Sequence, residues 1–430
     1  MKIAEKQLKI IVEVARILLG CLFVFSGFVK AVDPLGSAYK FQDYFTAFGF
    51  NSLEALTLPM SFGLSAIEFA LGVCLLLAVY RKPVTVLTLL FMLFMTGLTL
   101  YSAITNPVTD CGCFGDALVL SNWNTFYKNI VLLLFAVIVF RWSRLMTAFF
   151  SSKSALFVVL YTCFFILTLS FYCYKNLPIL DFRPYKTGAN IPQMMTIPEG
   201  APQDEYLMTF IYEKDGVQKE FTLENYPAND STWKFVDSKS KLLKKGYQPL
   251  IHDFSITDER GDDITEEVLS DTSYTFLLIA HKLQKASDQN VDMITEVYDF
   301  SVYYKYRFYM LTASTADEIQ AWRAKTGAKY AICTMDDITL KTIIRSNPGL
   351  LLLKQGVVVN KWADRNLPSG AILEKPIAET ALGKTAIKHD FRTIVVCACI
   401  LILPIALFFV FDAVSSKRER RKSAEKHKIE

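Results

Sequence analysis

Strong net charge is missing from this chain. Its 46 Lys and Arg stand against 42 Asp and Glu, a balance of +4, with the basic residues gathered near the end, which argues against a nucleic-acid partner. Charge of either sign is also sparse, at 20% of residues, while 52% are hydrophobic and the mean hydropathy is +0.29. That composition is too apolar for an ordinary soluble protein. Histidine is scarce, four residues in all, and none lies near the cysteine pair of TDCGCFGD (109–116). Two thiolates alone leave a tetrahedral zinc half-coordinated, so no metal site is expected. Nuclear, mitochondrial and lipidation signals are absent. A cleaved signal peptide is not expected either, because the first apolar stretch is too long, carries Glu13 and Arg16, and has no small-residue cleavage site before Lys30.

What is present is length and apolarity enough for a multi-pass membrane protein. Crossing about 30 Å of hydrocarbon takes about 20 mostly apolar residues, and six stretches qualify: 10–30, 60–80, 84–104, 125–141, 155–175 and 391–411. Lys2, Lys6 and Lys9, then Arg81 and Lys82, then Arg141, Arg144 and Lys153 all fall on one side of these spans, as does the tail KRERRKSAEKHK (417–428). The excess of Lys and Arg marks that side as cytoplasmic. Both termini are therefore expected in the cytoplasm of a bacterium with this chain in its inner membrane. The loops 31–59 and 105–124 and the long polar region 176–389 face the periplasm. The tail itself reads as a topology anchor, with contact to anionic lipid as its functional reading. The expected organisation is a four-span domain at 1–150, a fifth span at 151–178, a β-rich periplasmic segment at 179–245, a periplasmic α/β domain at 246–388, and a sixth span with tail at 389–430.

The polar region alternates strand and helix patterns. YLMTFIYEKDGVQKEFTLENYP (206–227) alternates apolar and polar residues around Lys214-Asp215-Gly216, which predicts a hairpin. The apolar runs YTFLLIA (274–280), RFYMLTA (307–313) and YAICTM (330–335) predict strands, separated by helical patterns at 283–305 and 315–327. Then come a short helix in ITLKTIIRSN (338–347), a proline opening a strand, and a hairpin through Lys354-Gln355-Gly356. This order resembles the thioredoxin fold over about 246–368, and HDFSITDERGDDIT (252–265) is similar to the opening of its peroxiredoxin and TlpA-like branch. The resemblance makes Pro348 the candidate cis-proline, beside which a partner would dock. It also implies a CxxC after the first long strand, where this chain has AHKLQKASDQN (280–290) and no cysteine. Cys333 reads as a buried small hydrophobe. The expected domain is therefore a thioredoxin-like one without dithiol chemistry, suited to binding a periplasmic protein partner.

The first four spans carry a second resemblance. VARILLGCLFVFSGFVKAVDPLGSAYKF (14–41) and the acid Glu68 within LSAIEFALGVCLLLAVY (64–80) resemble the DoxX family of small four-helix membrane proteins. Within that group, DCGCFG (110–115) resembles the methylamine-utilisation protein MauE, over about 10–142. The resemblance implies electron transfer or thiol handling at the membrane: MauE-like proteins are associated with maturing a disulfide-rich periplasmic enzyme, and DoxX relatives include a quinone-linked subunit. It does not imply that this chain acts on methylamine or thiosulfate.

Cysteines at i and i+2 can reach the separation of about 4.4–6.8 Å between Cα atoms that a disulfide permits, in a tight and strained ring. Strained disulfides are the labile, oxidising ones. Three readings of Cys111 and Cys113 stay open at this point: a redox pair, a static disulfide, or two thiols in a tight loop. Asp110 and Asp116 flank the pair and would raise the thiol pKa values. Glu68 lies about 12 Å below the outer surface at about 1.5 Å per residue. An acid at that depth must face the interior and be paired or protonated, with Ser26 or Lys30 in reach, and a proton or quinone role is open to it. Arg16, on the inner half of the span, is expected to snorkel to the cytoplasmic surface. The sequence thus points to redox support at the envelope through Cys111 and Cys113, with quinone as the one cofactor in view; the alternative is a membrane scaffold that holds a periplasmic partner.

Overall fold

The computed structural model describes residues 2–108, 111–147, 149–150, 152–227, 230–244, 246–385 and 390–426. The membrane part begins with α1 (Lys2–Val32), followed by α2 (Pro34–Ala47), α3 (Thr57–Leu76), α4 (Arg81–Thr105), α5 (Asn122–Arg141) and α6 (Ser152–Asn176). Five segments among the described residues are long and apolar enough to cross a membrane: Asn51–Leu76, Arg81–Thr105, Asn122–Arg141, Ser154–Asn176 and Asp390–Ser415. The expected first span, 10–30, falls in α1, which carries Glu13, Arg16 and Lys30 along it.

Those charges are resolved inside the bundle. α1 and α3 approach until a Cβ at Gly27 would stand 2.5 Å from the Phe69 nitrogen and one at Gly72 would stand 2.6 Å from the Val24 nitrogen. Small residues at such crossings let backbones pack where lipid offers no hydrophobic drive. The expectation for Arg16 is overturned. It is buried, donates to the Leu75 and Leu76 carbonyls at 2.6 Å each, and pairs with Glu13 at 2.6 Å. The last carbonyls of a helix have no partner within it, so Arg16 spends its donors capping α3 rather than reaching for the surface.

The loop expected at 31–59 contains a helix. Asp33 caps α2 by accepting from the Gly36 N–H at 2.9 Å, and Pro34 fills the first position, where no N–H is needed.

The polar region starts with the short α7 (Ile191–Met195) and the strands β1 (Glu205–Lys214), β2 (Val217–Thr222) and β3 (Lys234–Lys244). These three form an antiparallel sheet in the order β2-β1-β3, turning at Asp215-Gly216 as the hairpin pattern predicts. The chain continues through α8 (Thr265–Leu269), β4 (Tyr274–Ile279), α9 (Val291–Tyr303), β5 (Arg307–Thr312), α10 (Ala316–Thr326), β6 (Ala331–Thr334), α11 (Asp337–Ile343), β7 (Gly349–Lys354) and β8 (Val357–Ala363). The second sheet has the order β6-β5-β4-β7-β8, with β4, β5 and β6 parallel and β7 and β8 antiparallel. β4 is buried at every position, as an uninterrupted apolar strand covered on both faces must be. Phe276, Leu278, Met310 and Trp322 pack on one face; Leu277, Ile279, Leu311 and Leu340 pack on the other. Tyr185 and Ile191 join that second core, so residues before 246 belong to its packing.

The helical pattern at 283–305 splits into a single 3-10 turn at Leu283–Lys285 and α9. The last helix, α12 (Asp390–Lys426), lies along α6: Ser154 donates to Asp412, the Tyr161 hydroxyl donates to the Ile400 carbonyl at 2.5 Å, and the Phe157 and Phe408 rings stack at 4.0 Å. The side chains of the basic tail lie outside the described residues.

Candidate functional site: a cysteine pair beneath the thioredoxin-like domain

The cysteine loop leaves α4 and returns to α5. Gly112 and Gly115 both have positive φ, at +66° and +52°, a region open to glycine and costly for other residues. The tight turn brings the Cys111 and Cys113 sulfurs to 3.3 Å, a thiol hydrogen bond. Both side chains are largely shielded, with Cys111 8% exposed. The two thiols are unequal. The hydrogen bond from Cys111 lowers the Cys113 thiol, and the Lys128 and Lys30 ammonium groups lower it further against the opposing effect of burial, to about 6. The shared hydrogen bond and burial push Cys111 up. The arrangement favours the thiolate, the form in which a thiol reacts, at Cys113 over Cys111.

Beneath the loop, Lys30 reaches Glu68 Oε2 at 2.7 Å, Ser26 Oγ at 2.6 Å and the Cys113 carbonyl at 2.5 Å. Ser26 Oγ itself stands 2.7 Å from Glu68 Oε2 and 2.8 Å from the Cys113 carbonyl. Both Lys30 and Glu68 are buried, with side chains 4% exposed. Glu68 therefore has both of the partners that the sequence made available, and the cluster ties α1, α3 and the cysteine loop together. A buried carboxylate and ammonium satisfy one another only when their remaining groups are also met; for Lys30, Ser26 and the Cys113 carbonyl take up the two donors that Glu68 leaves.

Of the two flanking acids, only Asp116 is among the described residues, and it acts differently from the sequence expectation. Asp110 lies outside the described residues. Asp116 turns away to Arg345, at 2.8 Å, and Arg345 also holds Asp33 at 2.9 Å. Arg345 follows α11 in the thioredoxin-like domain, whereas Asp33 caps α2 and Asp116 sits in the cysteine loop. One buried guanidinium thus fastens the domain to the bundle. No sequence pattern pointed to Arg345, and 229 residues separate it from Asp116. Lys128 was also passed over, although a lone lysine in an apolar span is a signal that would have found it.

The face of the domain turned to the bundle is the one where the thioredoxin resemblance puts its active site. The Asn347–Pro348 peptide is cis. Asn347, His281 and Lys282 line, with Tyr39, Glu54 and Lys175, a chamber of about 840 Å³ between domain and bundle. Lys285 pairs with Glu54 at 2.6 Å across it. Cys333 lies elsewhere, in β6, where burial pushes its thiol up to about 11. Among the described residues no three His, Cys, Asp or Glu side chains gather to hold a metal.

Fold and site together define a multi-pass membrane protein whose helical bundle carries a cysteine pair under a thioredoxin-like domain. Residues 8–142, which contain the pair, match the family Methylamine utilisation protein MauE. The match is to MauE, and the wider DoxX likeness is not part of it. Residues 206–245, spanning the exposed sheet, match DUF8463, a domain of unknown function. No curated protein matches the chain. Among solved structures, the chain is similar to the thioredoxin domain of a thiol-disulfide oxidoreductase from Bacteroides vulgatus, at 10% identity and a TM-score of 0.22, covering 25% of this chain and 81% of that one. It is also similar to a protein described as a disulfide isomerase from Bacteroides thetaiotaomicron, at 18% identity and a TM-score of 0.21, covering 26% and 76%.

Proposed function

We propose that this protein exchanges electrons between a periplasmic thiol or disulfide and a carrier in the bacterial inner membrane, with Cys111 and Cys113 as the exchanging pair. The observation that carries the reading is the 3.3 Å contact between two unequal sulfurs, with the thiol of Cys113 lowered beside two lysines. In exchange, a thiolate attacks a disulfide sulfur, the mixed disulfide forms, and the second thiolate displaces the partner. A partner that arrives reduced leaves as a disulfide, and the pair is left as two thiols for the membrane carrier to reoxidise. Quinone is the carrier this reading names, and Glu68 with Lys30 is the buried acid and base beside the pair.

The basic residues between the spans support cytoplasmic termini and a periplasmic cysteine loop and domain. The thioredoxin-like domain then serves as the docking element, with Pro348 on its partner-binding face. The absence of cysteine from 281–290 favours a second reading, in which the domain is a scaffold and the pair only a staple.

Trapping separates the two. In cells carrying Cys111→Ser, which removes the resolving thiol, Cys113 should accumulate a mixed disulfide with a periplasmic protein, resolvable by reductant on a gel. Equal, modest loss of stability in both single cysteine variants, with nothing trapped in either, would leave the scaffold reading.

A further inference from the structure

Beside the cysteine pair the bundle holds a second cavity, of about 530 Å³, enclosed by α2, α3, α4 and the cysteine loop. Its two ends differ in chemistry. Phe41, Phe45 and Phe91 are among its walls, and Phe48, Phe94 and Ile67 bring it out to the bundle surface, 36%, 67% and 54% exposed. That surface belongs to the apolar flank of α3 and α4, the side that lipid covers in a multi-pass protein. The other end is closed by Cys111, Gly112 and Cys113, with Lys30, Lys40 and the Tyr44 hydroxyl beside them. The volume lies within the roughly 300–1,000 Å³ of small-molecule sites, and a mostly apolar lining with a few convergent polar groups is their usual form.

We propose that this cavity is the site of a lipid-soluble quinone, entering from the bilayer between α3 and α4 with its ring against the cysteine pair and its isoprenoid tail among the phenylalanines. This deepens the function proposed above and rests on it. The occupant follows from what the two ends require together. A molecule entering from lipid must be apolar over most of its length, and one that ends at a dithiol with ammonium groups beside it gains most if it accepts electrons there. A quinone meets both conditions: its ring oxygens gain negative charge on reduction, and fixed cations at that end stabilise such charge in a water-poor site. The step balances without a further reactant. The two thiols of Cys111 and Cys113 lose two electrons and two protons and become one disulfide; the quinone gains both electrons, and the two protons end on its two oxygens as quinol.

Gly63 offers a direct test. It lines the cavity on α3, and a Cβ added there meets no atom within 4 Å, so the larger side chain of Gly63→Trp starts from open space rather than from packing. The full-length protein, reduced and in nanodiscs under anaerobic conditions, is mixed with ubiquinone-1, and oxidation of the pair is followed by quenched thiol alkylation. Diamide, a water-soluble thiol oxidant, runs in parallel as the measure of the pair's own reactivity. The proposal expects the ratio of the ubiquinone-1 rate to the diamide rate to fall at least tenfold in Gly63→Trp. An unchanged ratio would overturn the site, as would photolabelling of the cavity by an azido-quinone that ubiquinone-1 fails to compete, the result expected if a lipid chain fills it. A wild-type pair that diamide oxidises and quinone does not would overturn the quinone while leaving the exchanging pair intact. A pair that neither reagent oxidises would instead sink the function on which the proposal rests.

Discussion

Replacing Arg345 with alanine should undock the thioredoxin-like domain from the bundle. The guanidinium is 7% exposed and contacts Asp33, 14% exposed, and Asp116, 37% exposed; it also donates to the Lys341 carbonyl at 2.5 Å. Removing one partner from a buried ion pair costs about 3–5 kcal/mol, because the other charge is left unpaired. Asp116 is more than a third exposed and contributes little after solvent screening, so the loss is carried by Asp33 and lies near the lower bound, about 3 kcal/mol. At about 1.4 kcal/mol per tenfold this is a shift of about a hundredfold in the docking equilibrium. Amide hydrogen exchange in α2 and in the loop 111–117 should accelerate accordingly, with β4 and β7 unaffected because the domain core does not depend on the contact. Adding Asp33→Asn and Asp116→Asn to Arg345→Ala should recover part of the protection, since asparagine still caps α2 and no charge is stranded. Unchanged exchange in Arg345→Ala, or a triple variant worse than the single one, would refute the reasoning.

Other outcomes follow from the same geometry. Lys30→Met should lower the thermal midpoint of the purified bundle more than Lys30→Met/Glu68→Leu does, since the double change removes a buried pair rather than orphaning Glu68; equal losses would show that Glu68 is not charged in the fold. Alkylation of the reduced pair should reach its plateau by about pH 7 and fall as the pH drops through about 6, where the Cys113 thiolate takes up its proton. In Cys111→Ala, which removes the largest cause of that lowered value, the titration should move upward; a midpoint near 8.5 in the unaltered protein, the value of a free thiol, would contradict the assignment. A soluble fragment of residues 177–385 should unfold cooperatively and fail to reduce insulin disulfides, and measurable reductase activity would mean that Cys333 is reactive despite its burial.

Much of this fold could be read from local signals. β4 and β5 are mostly apolar runs, the hairpin turns at the Asp215-Gly216 that follows Lys214, and Pro348 precedes β7 after a short helix. Glu68 was legible as a buried acid because charge is costly at its depth, and helical geometry then left Ser26 and Lys30 as neighbours. What escaped has one physical cause: it depends on contacts that close only in three dimensions. Arg16 looks like a snorkelling residue until the end of α3, some sixty positions on, presents two carbonyls to it. Asp116 looks like a neighbour of the thiols until Arg345 draws it away, and α2 hides in a loop because it is held by packing on α3, with its capping Asp33 bound to an arginine three hundred residues later. β3, with every position exposed, carries no alternation that a half-buried strand would show.

The central claim is that Cys111 and Cys113 cycle. Cells quenched in acid and alkylated with a mass-tagged thiol reagent report the oxidation state of the pair directly. The account predicts a mixture of dithiol and disulfide in respiring cells, shifting toward the dithiol when quinone synthesis is blocked and toward the disulfide when periplasmic thiols are depleted. A pair that stays in one state under all three conditions would contradict it.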